Sequence, residues 1–109
     1  MSLIEKRCVQ KATKLDSARI EALLAEVPGY KPDGARAKIS KDYKFADFYE
    51  TIAFVNALAW ICNTEDHHPD LQVSFDRCVV RFTTHAVQGI SVNDFICAAK
   101  ADALISFVG

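Results

Sequence analysis

The segment from Asn63 to Asp102 reads NTEDHHPDLQVSFDRCVVRFTTHAVQGISVNDFICAAKAD. It opens with two adjacent histidines and a proline, continues with two alternating apolar runs, and closes with apolar residues at helical spacing. Alternation with period two predicts strands, and apolar residues three and four positions apart predict a helix. All three histidines of the chain, His67, His68 and His85, lie inside it. The segment is therefore both the centre of the predicted fold and the candidate functional site.

The two alternating runs predict a hairpin that turns at residues 76–77. Their apolar residues are Leu71, Val73 and Phe75 in the first run and Cys78, Val80 and Phe82 in the second. Pairing Phe75 with Cys78 places all six on one face, because side chains alternate between the faces of a sheet. The same register, continued past Pro69, predicts that His68 lies opposite His85, with Cβ atoms about 4.5–5.5 Å apart.

Three helices are predicted by apolar residues at helical spacing. They span about residues 16–27, 45–62 and 91–107. Asp16 or Ser17 caps the first helix. Ser91 caps the third, with Asp94 in its first turn, where a carboxylate favours a helix N-terminus.

A second hairpin is predicted upstream, around the turn Pro32-Asp33-Gly34. Residues 36–43 alternate, but Lys41 interrupts their apolar face, so we expect an edge or an irregular strand end there. Residues 1–15 form a polar arm that is either loosely ordered or packs through Leu3, Ile4 and Val9. The predicted order is helix-strand-strand-helix-strand-strand-helix. It favours one α+β domain over residues 1–109, a four-stranded antiparallel sheet with helices packed on one face.

The helix over residues 45–62 carries apolar residues on two sides. One stripe contains Phe45, Phe48, Tyr49, Ile52, Val55, Ala59 and Cys62, and the other contains Phe54, Ala57, Trp60 and Ile61. A 12.1 kDa domain cannot bury the whole circumference of one helix, so the second stripe predicts a subunit interface. The alternative is that Phe54 and Trp60 lie beneath the sheet or a loop.

Composition narrows the function classes. The net charge is −1 and the basic residues are scattered, which argues against direct nucleic-acid binding. The four cysteines form no CxxC pair, and free thiols in the cytoplasm are the simplest interpretation. The N-terminus is not a signal peptide, and the longest apolar run, residues 57–62, is too short to cross a bilayer.

The gathering of three imidazoles suits two kinds of chemistry. Histidines can act together as general acid and base near neutral pH, or they can bind zinc with an open position for water. Adjacent residues on an extended chain point to opposite sides, which disfavours shared metal ligation by His67 and His68. The structural alternatives are that Asp94 only caps a helix and that the His-His-Pro segment is only a loop.

The motif residues resemble the pterin-4a-carbinolamine dehydratase family, also called dimerisation cofactors of a homeodomain transcription factor. The family pattern is His-His-Pro, an aromatic residue six positions on, a histidine ten further and an aspartate nine beyond that. The matching residues are His67, His68, Pro69, Phe75, His85 and Asp94. PGYKPDG and YKFADFYETIAFVNALA upstream are also similar to the family, and the likeness covers about residues 15–105. The family often has glycine where Gln88 stands.

The resemblance implies a hydro-lyase that dehydrates 4a-hydroxytetrahydrobiopterin to quinonoid dihydropterin, and so recycles the pterin of an aromatic amino-acid hydroxylase. It implies catalysis by His67, His68 and His85, and substrate binding by Asp94, Pro69 and Phe75. For Asp94 the resemblance leaves open whether the carboxylate binds the pterin or orients a histidine. It implies no metal or redox cofactor, because no electrons are transferred, and a homodimer or homotetramer. Two alternatives remain: a non-enzymatic dimerisation or coactivator module, and a dehydratase that acts on another pterin, in molybdopterin metabolism.

Overall fold

The computed structural model describes residues 2–108, with side chains as far as Ile105. The chain forms α1 (Ser17–Leu24), β1 (Lys31–Pro32), β2 (Ile39–Lys44), α2 (Phe48–Glu65), β3 (Asp70–Val73), β4 (Arg77–Phe82) and α3 (Val92–Val108), with 3-10 turns at Leu3–Glu5 and His85–Val87. The strands form one antiparallel sheet in the order β1-β2-β4-β3. The predicted α+β class and the predicted order of elements are confirmed.

Short acidic side chains fix where the first two helices begin. Asp16 caps α1 by accepting a hydrogen bond from the Arg19 amide at 2.8 Å, as predicted. Asp47 caps α2 by accepting from the Glu50 amide at 2.9 Å. Because this cap satisfies a free amide of the first turn, α2 begins at Phe48 rather than near Phe45.

One face of the sheet is covered by the helices. Its buried side chains are Ile39, Tyr43, Cys78, Val80 and Phe82. They pack in one core with residues from all three helices, including Ile20, Leu23, Phe54, Leu58, Phe95 and Ile96. The helices therefore lie on one side, as predicted, and the opposite face carries partly or fully exposed residues such as Asp42 and Arg81.

The expectation of an edge or an irregular strand end at Lys41 is wrong on the side of β4, although the ladder with β1 ends at Ser40. β2 lies between β1 and β4, and Lys41 pairs regularly with Val80. The lysine nevertheless stays on the helical face, because its ammonium forms a 2.8 Å ion pair with Asp102 of α3 and lies 4.9 Å from the centre of the Tyr43 ring. A long apolar stem with a paired charge can occupy the border of a core in this way.

The predicted register of the downstream hairpin is also wrong. Val73 pairs with Cys78, so the turn lies one residue earlier than expected, at Phe75–Asp76. The Ser74 amide donates to the Arg77 carbonyl at 2.9 Å and closes this turn. A shift of two positions in the partner leaves the apolar residues on one face, which is why the alternating pattern could not distinguish the two registers.

Helix α2 buries a different face from the one predicted. Its buried residues are Thr51, Phe54, Leu58 and Cys62. Phe54 is 0% exposed, so its assignment to a subunit interface is wrong, whereas Trp60 is 72% exposed. This buried stripe was not evident from the sequence, because it includes a polar residue, Thr51. The Thr51 hydroxyl is satisfied inside the core by the Asp47 carbonyl at 2.9 Å and the Phe75 carbonyl at 3.0 Å.

Candidate active site

The end of α2 delivers the histidine pair. Asp66 adopts a left-handed conformation with φ of 55° and turns the chain out of the helix. The His67 amide then donates to the Cys62 carbonyl at 3.1 Å, which anchors the segment that leads into β3. His67 is therefore held against the helix end.

A buried carboxylate holds the ring of His67. Asp94 Oδ1 lies 2.6 Å from His67 Nε2, and Asp94 Oδ2 accepts hydrogen bonds from the Thr84 hydroxyl at 2.8 Å and the Ser91 amide at 2.9 Å. Asp94 is 0% exposed. The same carboxylate thus completes a capping box for α3, while Ser91 Oγ accepts from the Asn93 amide at 3.2 Å. The predicted Ser91 cap is confirmed.

This network selects one tautomer of His67. An ionised carboxylate only accepts hydrogen bonds, so Nε2 of His67 carries a proton toward Asp94, and Nδ1 of the neutral ring has the lone pair. The ring also stacks on Phe82 with centroids 6.2 Å apart and an interplanar angle of 10°. A carboxylate–imidazole pair with a fixed ring is an arrangement that supports general base catalysis.

All three histidines border one cavity of about 480 Å³. Its lining includes His67, His68, Pro69, Thr83, Thr84, His85, Asp66 and Asp70. The predicted convergence of imidazoles therefore occurs, but not by the predicted strand pairing of His68 with His85. That pairing is wrong, because the strand ladder ends at Asp70–Arg81 and the chain turns into a 3-10 helix at His85.

The turn that carries His85 is closed on itself. Thr84 and Gly89 form an isolated bridge, with the Thr84 amide donating to the Gly89 carbonyl at 2.8 Å. Gln88 completes the turn in the left-handed region, with φ of 53°. Because Thr84 also binds Asp94, this turn ties the position of His85 to that of His67.

The N-terminal arm supplies another wall of the cavity, which the sequence analysis missed. Cys8, Val9 and Gln10 line it. The side-chain amide of Asn93 accepts from the Val9 amide at 2.9 Å and donates to the Val9 carbonyl at 2.8 Å. The arm has no periodicity, and a two-way amide contact with a distant asparagine leaves no local pattern in the sequence.

Glu65, the last residue of α2, binds the N-terminal arm. Its carboxylate accepts from the Cys8 amide at 2.8 Å and from Arg7 Nε at 2.7 Å, and it lies 4.0 Å from Lys100 Nζ. Burial acts to raise the pKa of Glu65, but the Cys8 amide and the two cations outweigh it and lower the pKa below its usual value. An ionised Glu65 thus stabilises the docked arm.

Two predicted substrate-binding residues lie away from the cavity surface. Phe75 is at the tip of the β3–β4 hairpin and is 63% exposed, outside the lining. Asp94 lies behind His67 and does not line the cavity either. Pro69 does line it. Within the described residues, Asp94 therefore holds the ring of His67 from behind, and Phe75 has no contact with the cavity.

Within residues 2–108, no three His, Cys, Asp or Glu side chains come together as a metal site. The histidines thus do not form the three-imidazole zinc site considered from the sequence. No helix in the same residues is long and apolar enough to cross a membrane.

Comparison with known proteins identifies one family. Residues 13–104 match the family model described as pterin 4 alpha carbinolamine dehydratase. A protein of Stenotrophomonas maltophilia strain K279a, provisionally named pterin-4-alpha-carbinolamine dehydratase, is 52% identical over 105 residues, covering 94% of this chain and 90% of its own length. One of Xanthomonas campestris pv. campestris strain B100, named in the same way, is 58% identical over 88 residues, or 81% of this chain and 75% of its own.

A solved structure shares the fold. The crystal structure of a transcriptional coactivator/pterin dehydratase from Brucella melitensis superimposes with a TM-score of 0.83 at 26% sequence identity. The match covers 89% of this chain and 100% of that one. The likeness therefore extends over most of the fold of this chain.

Proposed function

The chain belongs to the pterin-4-alpha-carbinolamine dehydratase family, and from this premise we propose that it removes water from a pterin 4a-carbinolamine in the cavity of the three histidines. The physiological substrate that we propose is 4a-hydroxytetrahydrobiopterin, and the product is quinonoid dihydropterin. The reaction transfers no electrons. It breaks the bond between C4a and the hydroxyl oxygen and the bond between N5 and its proton.

The elimination needs an acid and a base at the same time. The departing hydroxyl must receive a proton to leave as water, and N5 must lose a proton so that a C=N bond can form. Imidazoles suit both tasks near neutral pH, because each can hold or release a proton there. Three of them around one cavity therefore provide more than the minimum set.

We assign the base to His67. Its Nε2 is bound to the buried Asp94 carboxylate at 2.6 Å, which leaves Nδ1 to accept a proton. The carboxylate then stabilises the positive charge that develops on the ring during the transfer. Asp94 thus acts as a positioning residue, through His67.

His68 and His85 are assigned to the hydroxyl. Both are exposed residues at the border of the cavity, without the buried carboxylate partner that His67 has. An imidazole with access to solvent can donate a proton and be reprotonated from water. We propose that one donates to the leaving hydroxyl while the other holds it in place by a hydrogen bond.

The single observation that supports this function is the cavity of about 480 Å³, which is lined by three histidines. One of them, His67, is anchored to a buried carboxylate. General acid and base groups contribute about 10²- to 10⁴-fold to a rate. That scale is adequate for a dehydration that also proceeds without a catalyst.

The test is the decay of a 4a-carbinolamine generated by a phenylalanine hydroxylase, followed by absorbance. We expect wild type to accelerate the decay, and His67→Ala to lose most of that acceleration. His68→Ala and His85→Ala should each lose part of it. Gln72→Ala, an exposed change on β3 away from the cavity lining, should match wild type. Equal rates for wild type and His67→Ala would remove the assignment.

A second candidate function is that of a binding module, as the word coactivator in the name of the Brucella relative suggests. The observation that favours it here is the exposed apolar side chain of Trp60 on α2, which does not line the histidine cavity. We propose that the surface that carries Trp60 serves self-association as a homodimer or homotetramer. For the dehydratase function, we also propose a link to an aromatic amino-acid hydroxylase and a cytoplasmic location.

A further inference from the structure

Two cysteine thiols meet beside the cavity. The sulfur atoms of Cys8 and Cys97 lie 3.6 Å apart, although the residues are 89 positions apart in sequence. Cys97 comes from α3 and is 0% exposed. Cys8 comes from the N-terminal arm and is partly exposed. A contact between two thiols over so long a separation requires the arm to be docked in this one place.

The two thiols differ in their access to small molecules. Cys8 is part of the lining of the histidine cavity, and Cys97 is not. A small solute that enters the cavity therefore reaches Cys8 first and meets Cys97 only behind it. This is the arrangement of an exposed reactive thiol with a second thiol positioned to resolve its oxidised form.

The backbone around Cys8 can supply the movement that a covalent bond needs. A disulfide has sulfur atoms about 2.05 Å apart, so the contact must close by about 1.5 Å. Residues 6–9 lie between a 3-10 turn and a bend and belong to no helix or strand. Cys97 is in the interior of α3, between Val92 and Val108. The arm can therefore move toward the helix without breaking a helical or sheet hydrogen bond.

We propose that Cys8 and Cys97 are a reversible oxidation site that forms an intramolecular disulfide in the presence of a hydroperoxide. The Cys8 thiol, as thiolate, attacks a peroxide oxygen, which gives a sulfenic acid on Cys8 and releases water or an alcohol. The Cys97 sulfur then attacks the sulfur of Cys8, the S–S bond forms and the hydroxyl leaves as water. Two thiols are oxidised and one peroxide is reduced. A dithiol reductant reverses the bond.

The disulfide would change a wall of the cavity. It joins the arm to α3 next to Val9. The side-chain amide of Asn93 already binds both the backbone N–H and the carbonyl of Val9. The arm segment that lines the cavity is then covalently fixed, and the Cys8 sulfur is drawn toward the helix. A crosslink that closes a loop of 89 residues also stabilises the fold, because it restricts the unfolded chain.

The remaining cysteines provide the controls. Cys78 lies on β4 and is buried, and this burial raises the pKa of its thiol to about 11. Cys78 therefore stays protonated and unreactive. Cys62, on α2, is also buried and does not line the histidine cavity, but its thiol lies beside that of Cys97. A link between Cys62 and Cys97 is therefore the alternative that peptide mapping must distinguish.

The experiment treats the purified full chain with one equivalent of hydrogen peroxide and measures its intact mass and free thiols. We expect a mass about 2 Da lower, a fall from four free thiols to two, and a peptide that links Cys8 to Cys97. Dithiothreitol should restore four thiols. Thermal unfolding should shift upward by several degrees on oxidation. The Cys8→Ser variant should show neither the mass loss nor the shift, and Cys78→Ser should behave like wild type.

Three results would overturn the proposal. They are a gain of about 32 Da on Cys8, which marks a sulfinic acid formed without resolution by Cys97, a disulfide between two chains, and a link that maps to Cys62. Unchanged mass and thiol count would also contradict it. None of these readouts depends on dehydratase activity, so the result is separate from that of the proposed function.

Discussion

The carboxylate of Asp94 serves two elements at once. It caps α3 through the Ser91 amide and orients His67 through Nε2, and it is fully buried. From the sequence alone, its spacing after Ser91 predicted the cap, and the family resemblance implied a place in the site. The contact with His67 could not be derived, because it joins residues 27 positions apart through side chains only.

At this scale we expect Asp94→Asn to reduce the dehydration rate by about 10²-fold or more. The side-chain amide of asparagine has one acceptor oxygen, which can face either His67 or the pair of Ser91 and Thr84, but not both. The Ser91 amide and the Thr84 hydroxyl already occupy Oδ2 as donors, so the asparagine NH₂ turns toward His67 and selects the wrong tautomer. The measurement is the carbinolamine decay rate, beside circular dichroism to verify folding. The matched control is Asp76→Asn in the exposed hairpin turn. A variant with the wild-type rate would exclude the positioning role.

Gln88 is a second residue whose conformation affects the stability of the fold. It is held at φ of 53° in the turn behind His85, where a residue with a Cβ atom is strained. We expect Gln88→Gly to raise the free energy of unfolding by about 0.5–1 kcal/mol, measured by denaturant titration. Ala86→Gly, in the 3-10 segment of the same turn, should lower it, because glycine there only adds freedom to the unfolded chain. A destabilised Gln88→Gly variant would contradict the strain argument.

Among the elements, the N-terminal arm departs most from expectation. The sequence of residues 1–15 left open whether the arm is loosely ordered or packs through its apolar residues. Leu3 does pack in the core, and the arm also forms a wall of the cavity, which the pattern did not predict. Its docking depends on Glu65 and Asn93, which lie on two different helices. The strand register shows the same limit, because periodicity assigns a face to each side chain but not its partner. Long-range polar contacts and the position of a turn were therefore beyond the sequence pattern.

The arm should detach as Glu65 is protonated. The folded pKa of Glu65 lies below its ordinary value of about 4.3, so its stabilising effect is complete above that value and is lost as the pH falls through the folded pKa. We expect Glu65→Gln to unfold at a lower temperature than wild type at pH 7. The difference should shrink as the pH falls below about 4.3 and vanish below the folded pKa of Glu65. Thermal scans across this range provide the measurement. Glu26→Gln, an exposed change, should follow wild type throughout. A difference that is constant with pH would contradict the ionic role of Glu65.

For the whole molecule, the pattern of period two and period 3.6 was enough to predict the fold class and the order of elements. It was not enough for the sheet order, since the pairing of β2 with β4 joins strands that are separated by a complete helix. The helical face of α2 was misjudged for a related reason. Both of its sides are apolar, and only the packed structure distinguishes the buried Phe54 from the exposed Trp60.

This distinction changes the test of self-association. We expect Trp60→Asp to lower the mass in solution, because it places a charge on an exposed apolar surface. Ala25→Asp, an exposed change at the end of α1 and outside α2, should leave the mass unchanged. Phe54→Asp should instead unfold the domain, since it buries an unpaired charge. Light scattering decides the matter, and equal masses for wild type and Trp60→Asp would remove α2 as the interface.

The most direct measurement for the whole account is the decay of a pterin 4a-carbinolamine with wild type, with the His67→Ala/His68→Ala double variant and with buffer alone. We expect rapid decay with wild type, and decay at the rate of buffer with a double variant that is still folded. Wild type that decays the carbinolamine no faster than buffer, or a double variant as fast as wild type, would contradict the central claim that the histidine cavity performs the dehydration.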